Sequence, residues 1–253
     1  WWPQGVERTE GSDAVPKNVD WDLWLGIAPE RPFLKGKYHP FQWRGREDFG
    51  TGAQGDMACH LMDPATWFLG LGAPLSIRSD GPVPNGESYP LWSRVHYTFP
   101  PNDLTMPGPL PLTWHDGGKK PPVDLLAAHG ITPEEMPANA CLFVGTEGAL
   151  VANPYDKAIL LPREKYADHE RPTPPAKNHW HEWVNACLGR GETTAPFSYS
   201  AHLTEVALLG NIALRFPHQT LRWDDASMSF PDVPEANPHL KPTVRDGWSI
   251  DGM

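Results

Sequence analysis

The spacing of hydrophobic positions changes along the chain, and each spacing predicts a different element. Across residues 51–71 apolar side chains recur every three or four positions, as in a helix with one buried face. Asp63-Pro64 interrupts this stretch, and aspartate before proline is a helix-start signal, so we expect a kink or restart there with Asp63 as the N-cap. Two further helices are expected over residues 178–188 and 199–216, the second with a broad apolar face and with Gly210 at a close crossing.

Short apolar runs between these helices have the composition or the alternation of β-strands. Residues 94–99 alternate between polar and apolar side chains, as expected for a strand with one solvated face. Gly145 to Gly148 separates two of the runs and predicts a hairpin turn. The predicted strands are residues 75–78, 94–99, 112–115, 141–144, 149–152 and 158–161.

Helices flank a group of consecutive strands instead of alternating with each strand, and this order favours an α+β fold. We predict an open, largely antiparallel β-sheet with helices on one face, in a single domain over residues 1–253. The segments at the two ends, residues 1–19 and 230–253, are expected to be extended. Near the start, a short helix is expected between Asp20 as N-cap and Gly26 as C-cap.

Composition and charge narrow the classes of function. The net charge is −10 and the pI is near 5.5, which argues against nucleic acid and anionic membranes as partners. No apolar run reaches the length of a transmembrane helix. The three cysteines lie far apart and form no C-x-x-C, so neither a zinc site nor a disulfide framework is indicated. Twelve tryptophans are compatible with stacking on sugar rings, although core packing also uses them.

Residues 43–63 are the most informative stretch, with the sequence WRGREDFGTGAQGDMACHLMD. Its glycines permit unusual backbone conformations and the close approach of a ligand. Asp56 and His60 are four residues apart, so a helix places them on one face. A carboxylate beside an imidazole selects its tautomer and stabilises the imidazolium, so the pair can move a proton. Spacing leaves open the alternative that Asp56 caps the helix and His60 is a hydrogen-bonded core histidine.

The run DFGTGAQGDMACHLMD resembles the C-terminal domain of the Gfo/Idh/MocA oxidoreductases, NAD(P)-dependent enzymes that act mainly on sugars and cyclitols. WDLWLG at residues 21–26, YHP at residues 38–40 and the tail at residues 233–248 extend the resemblance, which is closest to a bacterial subgroup whose members are often exported. It implies an open sheet whose free face often serves oligomerisation. The chain starts without methionine or a signal peptide, so we expect a piece of a longer protein, located in the bacterial cytoplasm or the periplasm.

The resemblance also implies a chemistry. In the family, hydride transfer from a secondary hydroxyl uses a nicotinamide cofactor on an N-terminal Rossmann domain, a lysine from that domain, and an aspartate and a histidine that map onto Asp56 and His60. NAD or NADP is therefore implied, bound mainly by a Rossmann domain that has no counterpart in this sequence. Residues 50–55 spell G-x-G-x-x-G but lack a preceding parallel strand and an acidic residue about 20 positions on, so we reject them as a dinucleotide site. No cofactor-binding or metal-binding residue is assigned.

The resulting hypothesis is the substrate domain of an NAD(P)-dependent sugar or cyclitol oxidoreductase that forms a dimer or a tetramer. For Tyr38 and His39, packing of their loop against the next element is the alternative to substrate contact. One alternative function is a metal-dependent lyase or hydrolase that uses Asp56, His60, Asp63 and a further histidine. Another is a catalytically silent sugar-binding or oligomerisation module. The candidate substrate-binding residues are Trp43, Arg44, Asp48, Tyr38, His39 and His179.

Overall fold

The computed structural model describes residues 2–173 and 175–249, and it confirms the α+β fold. The helices are α1 (Trp21–Leu25), α2 (Gly52–Leu61), α3 (Asp63–Leu69), α4 (Val123–Ala128), α5 (His179–Cys187) and α6 (Phe197–Ala213). The strands are β1 (Ser76–Asp80), β2 (Arg94–Phe99), β3 (Leu110–His115), β4 (Cys141–Val144), β5 (Ala149–Ala152), β6 (Ile159–Leu161) and β7 (Thr220–Arg222). Two 3-10 helices cover Gln42–Gly45 and Pro234–Leu240.

The larger sheet has the strand order β3-β2-β1-β7, and each neighbouring pair is antiparallel. Val95, Tyr97 and Phe99 on β2 are buried, while the residues between them are half-buried. This is the alternation that the sequence predicts for residues 94–99. The close crossing predicted at Gly210 of α6 is also present, because a Cβ there would meet the Tyr97 hydroxyl and the Gln54 side chain.

A second, three-stranded antiparallel sheet has the order β4-β5-β6. The sequence predicts these strands, with Cys141–Val144 and Ala149–Ala152 at the predicted bounds, but it does not predict that they form a separate sheet. Two short elements, α4 and β7, were not predicted. A cluster of buried residues packs at this sheet: Leu126, Ile131, Met136, Ala149, Val151 and Leu161.

Contacts divide the chain into two compact units. Unit 1 comprises Trp1–Cys59, Leu71–Lys120 and Val206–Met253, and unit 2 comprises His60–Gly70 and Pro121–Glu205. Because the division falls inside α2 and α6, both helices contribute residues to both units. The single domain over residues 1–253 stays a prediction.

Most predicted helix ends match the structure, with one correction. Asp20 caps α1 by accepting a hydrogen bond from the Leu23 N–H, and Gly26 ends the helix at φ 56°. The expected break before Pro64 is present, but the prediction that Asp63 is the N-cap is wrong, since Met62 is the N-cap and makes no side-chain cap. Asp63 is instead the first residue of α3.

The predicted terminal segments are mostly irregular where the structure describes them, apart from α1 and the 3-10 helix Pro234–Leu240. Their outermost residues, Trp1 and 250–253, lie outside the described residues. Arg245 attaches the C-terminal segment to α1, because its Nε donates to the Gly26 carbonyl at 2.7 Å and its Nη1 pairs with Asp22 at 2.7 Å. None of the helices in the described part of the chain combines the length and the apolar character needed to cross a bilayer.

Candidate functional site

The glycine-rich approach to α2 is closely packed by the protein itself. Gly52 has φ +61°, and a Cβ there would lie 2.8 Å from the Tyr89 side chain. The Ala53 N–H donates to Gln4 Oε1 at 2.6 Å, which satisfies one of the free N–H groups at the helix start. The Asn211 side-chain amide donates to the Thr51 carbonyl at 2.6 Å. The expectation that these glycines admit a ligand is therefore corrected, because neighbouring protein atoms occupy the space.

These contacts also decide whether the G-x-G-x-x-G of residues 50–55 fits a dinucleotide. Such a fit needs free backbone N–H groups at the helix start and open space beside the glycines. Here a side chain already accepts from the Ala53 N–H, and a Cβ on Gly50 would meet the Arg44 carbonyl. The residues do not fit the pyrophosphate of NAD or NADP, and no step of the chemistry proposed below is assigned to a cofactor held by this motif.

Asp56 lies on α2 and pairs with Arg44. Arg44 Nη1 donates to Asp56 Oδ1 at 2.7 Å, with the two side chains 30% and 20% exposed. The Arg44 guanidinium lies over three aromatic rings, at 5.3 Å from the ring centroid of Trp2, 5.1 Å from that of Phe41 and 5.2 Å from that of Trp43. Arg44, Trp43 and Asp56 are thus brought together in one cluster of unit 1.

His60 lies one helical turn after Asp56 on the same continuous helix, and its side chain is exposed. The alternative that His60 is an enclosed core histidine required a buried ring, so the structure does not support it. An exposed imidazole on the helical face of Asp56 is open to a substrate and to proton exchange. Its catalytic role stays a prediction.

Tyr38 and Asp48 belong to a second cluster in unit 1, built around Arg31. Tyr38 is 3% exposed and donates its hydroxyl to the Pro32 carbonyl at 3.1 Å. Arg31 Nη1 donates to Asp48 at 2.9 Å, and its Nη2 donates to the buried Glu87 at 2.6 Å. Both candidate substrate residues are therefore engaged by the protein, and for Tyr38 the packing alternative describes what is observed.

Glu87 is the centre of this charge network and was not singled out from the sequence. It also pairs with the buried Arg46 and, at 3.4 Å, with Arg8. Burial and the nearby Arg31 charge lower the pKa of Arg46. Because a buried carboxylate is costly unless it is paired, three arginines around Glu87 explain how it is retained in the interior. No local sequence pattern predicts this role of Glu87, because its arginine partners lie far away in the sequence.

The remaining candidates lie elsewhere. His39 is exposed in the loop before the 3-10 helix Gln42–Gly45. His179 is the first residue of α5 and is exposed, with its ring 4.6 Å from that of Trp180.

Asp63 accepts a hydrogen bond from the Tyr199 hydroxyl at 2.5 Å, within unit 2. Burial and this carboxylate raise the pKa of Tyr199, so the phenol remains the donor.

Within residues 2–173 and 175–249, no three His, Cys, Asp or Glu side chains come together in an arrangement that could hold a metal ion. Arg44 and Tyr199 are the observed partners of Asp56 and Asp63. The metal-dependent alternative thus gains no support from the geometry of these carboxylates.

A cavity of about 230 Å³ lies in unit 1 between residues 8–11 and the loop that precedes the 3-10 helix Gln42–Gly45. Arg8, Arg31 and Tyr38 contribute to its lining, together with Glu10 and Glu30. Neither Trp43 nor Asp56 lines this cavity, so it is separate from the Arg44–Asp56 cluster.

A comparison with protein families gives a match to part of the chain. Residues 2–103 match the family model described as oxidoreductase family, C-terminal alpha/beta domain. The Gfo/Idh/MocA resemblance is therefore confirmed for residues 2–103. The Gfo/Idh/MocA match includes α1, the cluster around Arg44, and all of α2, whereas the similar tail at residues 233–248 lies beyond it. A comparison with curated proteins finds no match.

The interaction that sequence reasoning missed is the Arg44–Asp56 ion pair. Both residues were singled out, but Arg44 was assigned to substrate hydroxyls. Twelve positions separate the two residues, and the intervening loop has no regular period from which their approach follows. The aromatic composition of the loop was the available signal, because arginine is often found on aromatic faces.

Proposed function

We propose that this chain is the substrate domain of an NAD(P)-dependent sugar or cyclitol oxidoreductase. The family match supports an oxidoreductase-family C-terminal domain. The observation that carries the finer assignment is the position of Asp56 and His60 one turn apart on α2, with Asp56 held by Arg44 and His60 exposed. The aromatic rings around Arg44 suit the apolar faces of a sugar or cyclitol.

The part of the reaction assigned to this chain is proton transfer. Oxidation of a secondary alcohol breaks its O–H and C–H bonds and forms a C=O bond, so a proton and a hydride must leave. His60 accepts the hydroxyl proton, and the Asp56 carboxylate stabilises the resulting imidazolium. When bound, the nicotinamide cofactor that the resemblance implies would supply the hydride acceptor, and no residue of this chain is assigned to that part of the reaction.

Substitution in the protein that carries both this chain and its Rossmann domain tests the assignment. His60→Ala and Asp56→Asn should each lower sugar oxidation by about 10²–10⁴-fold, the usual scale for the loss of a general base or its partner. His169→Ala is a matched control, because it removes an exposed histidine of unit 2 and should leave turnover unchanged. Unchanged turnover in both His60→Ala and Asp56→Asn would leave the pair with a structural role only, as in the silent-module alternative.

The same protein separates the redox assignment from the metal-dependent one. Elemental analysis of purified protein should find no stoichiometric divalent metal, and chelation should leave sugar oxidation intact. Loss of activity on chelation, with recovery on addition of a divalent metal, would favour the lyase or hydrolase alternative.

We also propose a homo-oligomer, a dimer or a tetramer built from dimers. The half-exposed face of the larger sheet carries Arg78, Asp80, Arg94 and His96, whereas its other face is buried. A mixed-charge face of this kind is suited to pairing with a second copy, since opposite charges can meet across a two-fold axis. Light scattering at working concentration should give a multiple of the chain mass, and a monomeric mass would contradict the proposal.

A further inference from the structure

One oxygen of the Asp56 carboxylate is engaged by the protein and the other is not. Arg44 Nη1 donates to Oδ1 at 2.7 Å. Within the described chain, no side chain or backbone group donates to Oδ2, although 20% of the Asp56 side chain is exposed. A carboxylate that is held through one oxygen can present the other in a defined direction to an imidazole or a hydroxyl.

The guanidinium that holds Oδ1 is itself confined. Trp2, Phe41 and Trp43 place their rings within 5.3 Å of the Arg44 guanidinium carbon. A cation over an aromatic face is attracted by the negative face of the ring, and the attraction is stronger where the contact is shielded from solvent. The Arg44 Nε is buried and lacks a hydrogen-bond partner in the described chain, so the pair with Asp56 is the anchor at the polar end of the side chain.

We propose that Arg44 is the positioning residue for the Asp56 carboxylate, and that Trp2, Phe41 and Trp43 form the cage that keeps the guanidinium in place. This inference rests on the proposed function, because a positioned carboxylate has a catalytic meaning only if Asp56 takes part in the reaction. It replaces the expectation that Arg44 binds substrate hydroxyls. Arg44 acts through Asp56 and need not touch the substrate.

Kinetics distinguish positioning from substrate binding. A residue that binds the substrate equally in the ground and transition states changes KM when it is removed, whereas a residue that orients a catalytic group lowers kcat. Misplacement by about 1 Å can cost roughly 10²-fold in rate. In the protein that carries both domains, Arg44→Ala should therefore lower kcat by about 10–10²-fold and change KM by less than about 3-fold.

Chemical rescue tests the geometry. Removing the side chain beyond Cβ in Arg44→Ala leaves the three rings and the Asp56 carboxylate as a binding site for a free guanidinium ion. Ethylguanidinium should restore part of kcat, while ethylammonium at the same concentration should restore less, because it lacks the planar fork and stacks poorly on rings. For the same reason, Arg44→Lys should recover only part of the activity. The double variant Arg44→Ala/Asp56→Asn should not respond to either ion.

Lys165→Ala is the matched control. Lys165 also pairs with a carboxylate, at 2.8 Å from Glu147, and lies over an aromatic ring, that of Tyr166, but it belongs to unit 2 and contacts none of the three rings. Its turnover should be unchanged, with or without ethylguanidinium. If Arg44→Ala does not fold, Arg44→Lys gives the same division between kcat and KM.

The outcomes separate this inference from the proposed function. If Asp56→Asn lowers turnover but Arg44→Ala does not, the positioning role fails and the oxidoreductase assignment stands. If Arg44→Ala raises KM with kcat intact, Arg44 contacts the substrate and the inference is wrong. If neither Asp56→Asn nor His60→Ala changes turnover, the proposed function itself fails.

Discussion

At the scale of single residues, the glycines that precede Asp56 are explained by protein contacts. Gly52 combines a left-handed backbone, φ +61°, with the Tyr89 side chain 2.8 Å from the site of a Cβ. Any other residue at position 52 would have a strained backbone, and its Cβ would displace the buried Tyr89. The motif therefore positions the helix that carries Asp56 and His60, instead of opening a space for phosphate.

Gly52→Ala should lower the free energy of unfolding by about 2–4 kcal/mol, which combines about 1–2 kcal/mol for the left-handed conformation with the cost of overpacking. Gly86→Ala is the matched control, because Gly86 has φ +82° with open space around it, and it should lose only the conformational term. Denaturant unfolding of the two variants measures the difference. Equal losses would show that contact with Tyr89 has no cost.

At the same scale, His115 should make the free energy of unfolding depend on pH. Burial, with smaller effects from the charges of Arg94 and His96, lowers the pKa of His115 to about 4 from its usual 6.5. Its Nδ1 is buried and has no hydrogen-bond partner within the described chain. The folded protein therefore holds this ring neutral in a range of pH where the unfolded chain protonates it.

Proton linkage gives the direction in which the free energy of unfolding changes with pH. Between pH 6.5 and 4 the unfolded chain binds the extra proton, so the free energy of unfolding falls as the pH is lowered through this window. Allowing for partial exposure, His115→Asn should reduce that loss by about 1–2 kcal/mol. Unfolding curves of the wild-type protein and of His115→Asn at several pH values measure the slope, and equal slopes in the two proteins would contradict the prediction.

At the scale of elements, the smaller sheet depends on α4, which the sequence did not predict. Leu126 of α4 is fully buried in the same cluster as Val151 of β5 and Leu161 of β6. A six-residue helix has little stability of its own, so its apolar contact with the sheet is what maintains it.

Leu126→Ala should therefore destabilise unit 2 by about 2–5 kcal/mol, as expected for a buried leucine that leaves a cavity. The neighbouring Leu125, 36% exposed on the same helix, is the matched control, and Leu125→Ala should cost less than about 1 kcal/mol. Hydrogen exchange of the amides of β4, β5 and β6 reports local stability. Equal protection in the two variants would show that burial of Leu126 does not support the sheet.

At the scale of the whole molecule, the chain carries a candidate catalytic pair, Asp56 and His60, but residues 50–55 do not form a dinucleotide-binding site. The family match covers residues 2–103, which include the cluster around Arg44 and the whole of α2. Under the proposed function, an α+β unit of this kind would supply side chains to the reaction, while a Rossmann domain would bind the nicotinamide cofactor that the resemblance implies.

We therefore expect the isolated chain to show no measurable binding of NAD or NADP. The physical reason is that protein groups already occupy the N-terminus of α2: the Ala53 N–H donates to Gln4, and Gly52 packs against Tyr89. Calorimetric titration with each dinucleotide measures this directly. A dissociation constant in the micromolar range would contradict the expectation and would require a nucleotide site elsewhere on the chain.

Features that depend on neighbouring residues can be predicted from the sequence alone. The caps of α1, the alternation along β2, the bounds of β4 and β5, and the i, i+4 placement of Asp56 and His60 all follow from local period and local hydrogen bonding. The motif around Asp56 was also sufficient to indicate the resemblance that the family model confirms over residues 2–103.

Which distant residues meet is visible only in the folded chain. It pairs Ser76 with Arg222 across β1 and β7, and it directs the Tyr199 hydroxyl to Asp63 instead of leaving that carboxylate as a helix cap. It also places Arg44 on Asp56. A local pattern reports which face of a segment is apolar, but it carries no information about which other segment covers that face or which charge neutralises a carboxylate. Those choices depend on packing and charge pairing among segments that are brought together only when the chain folds.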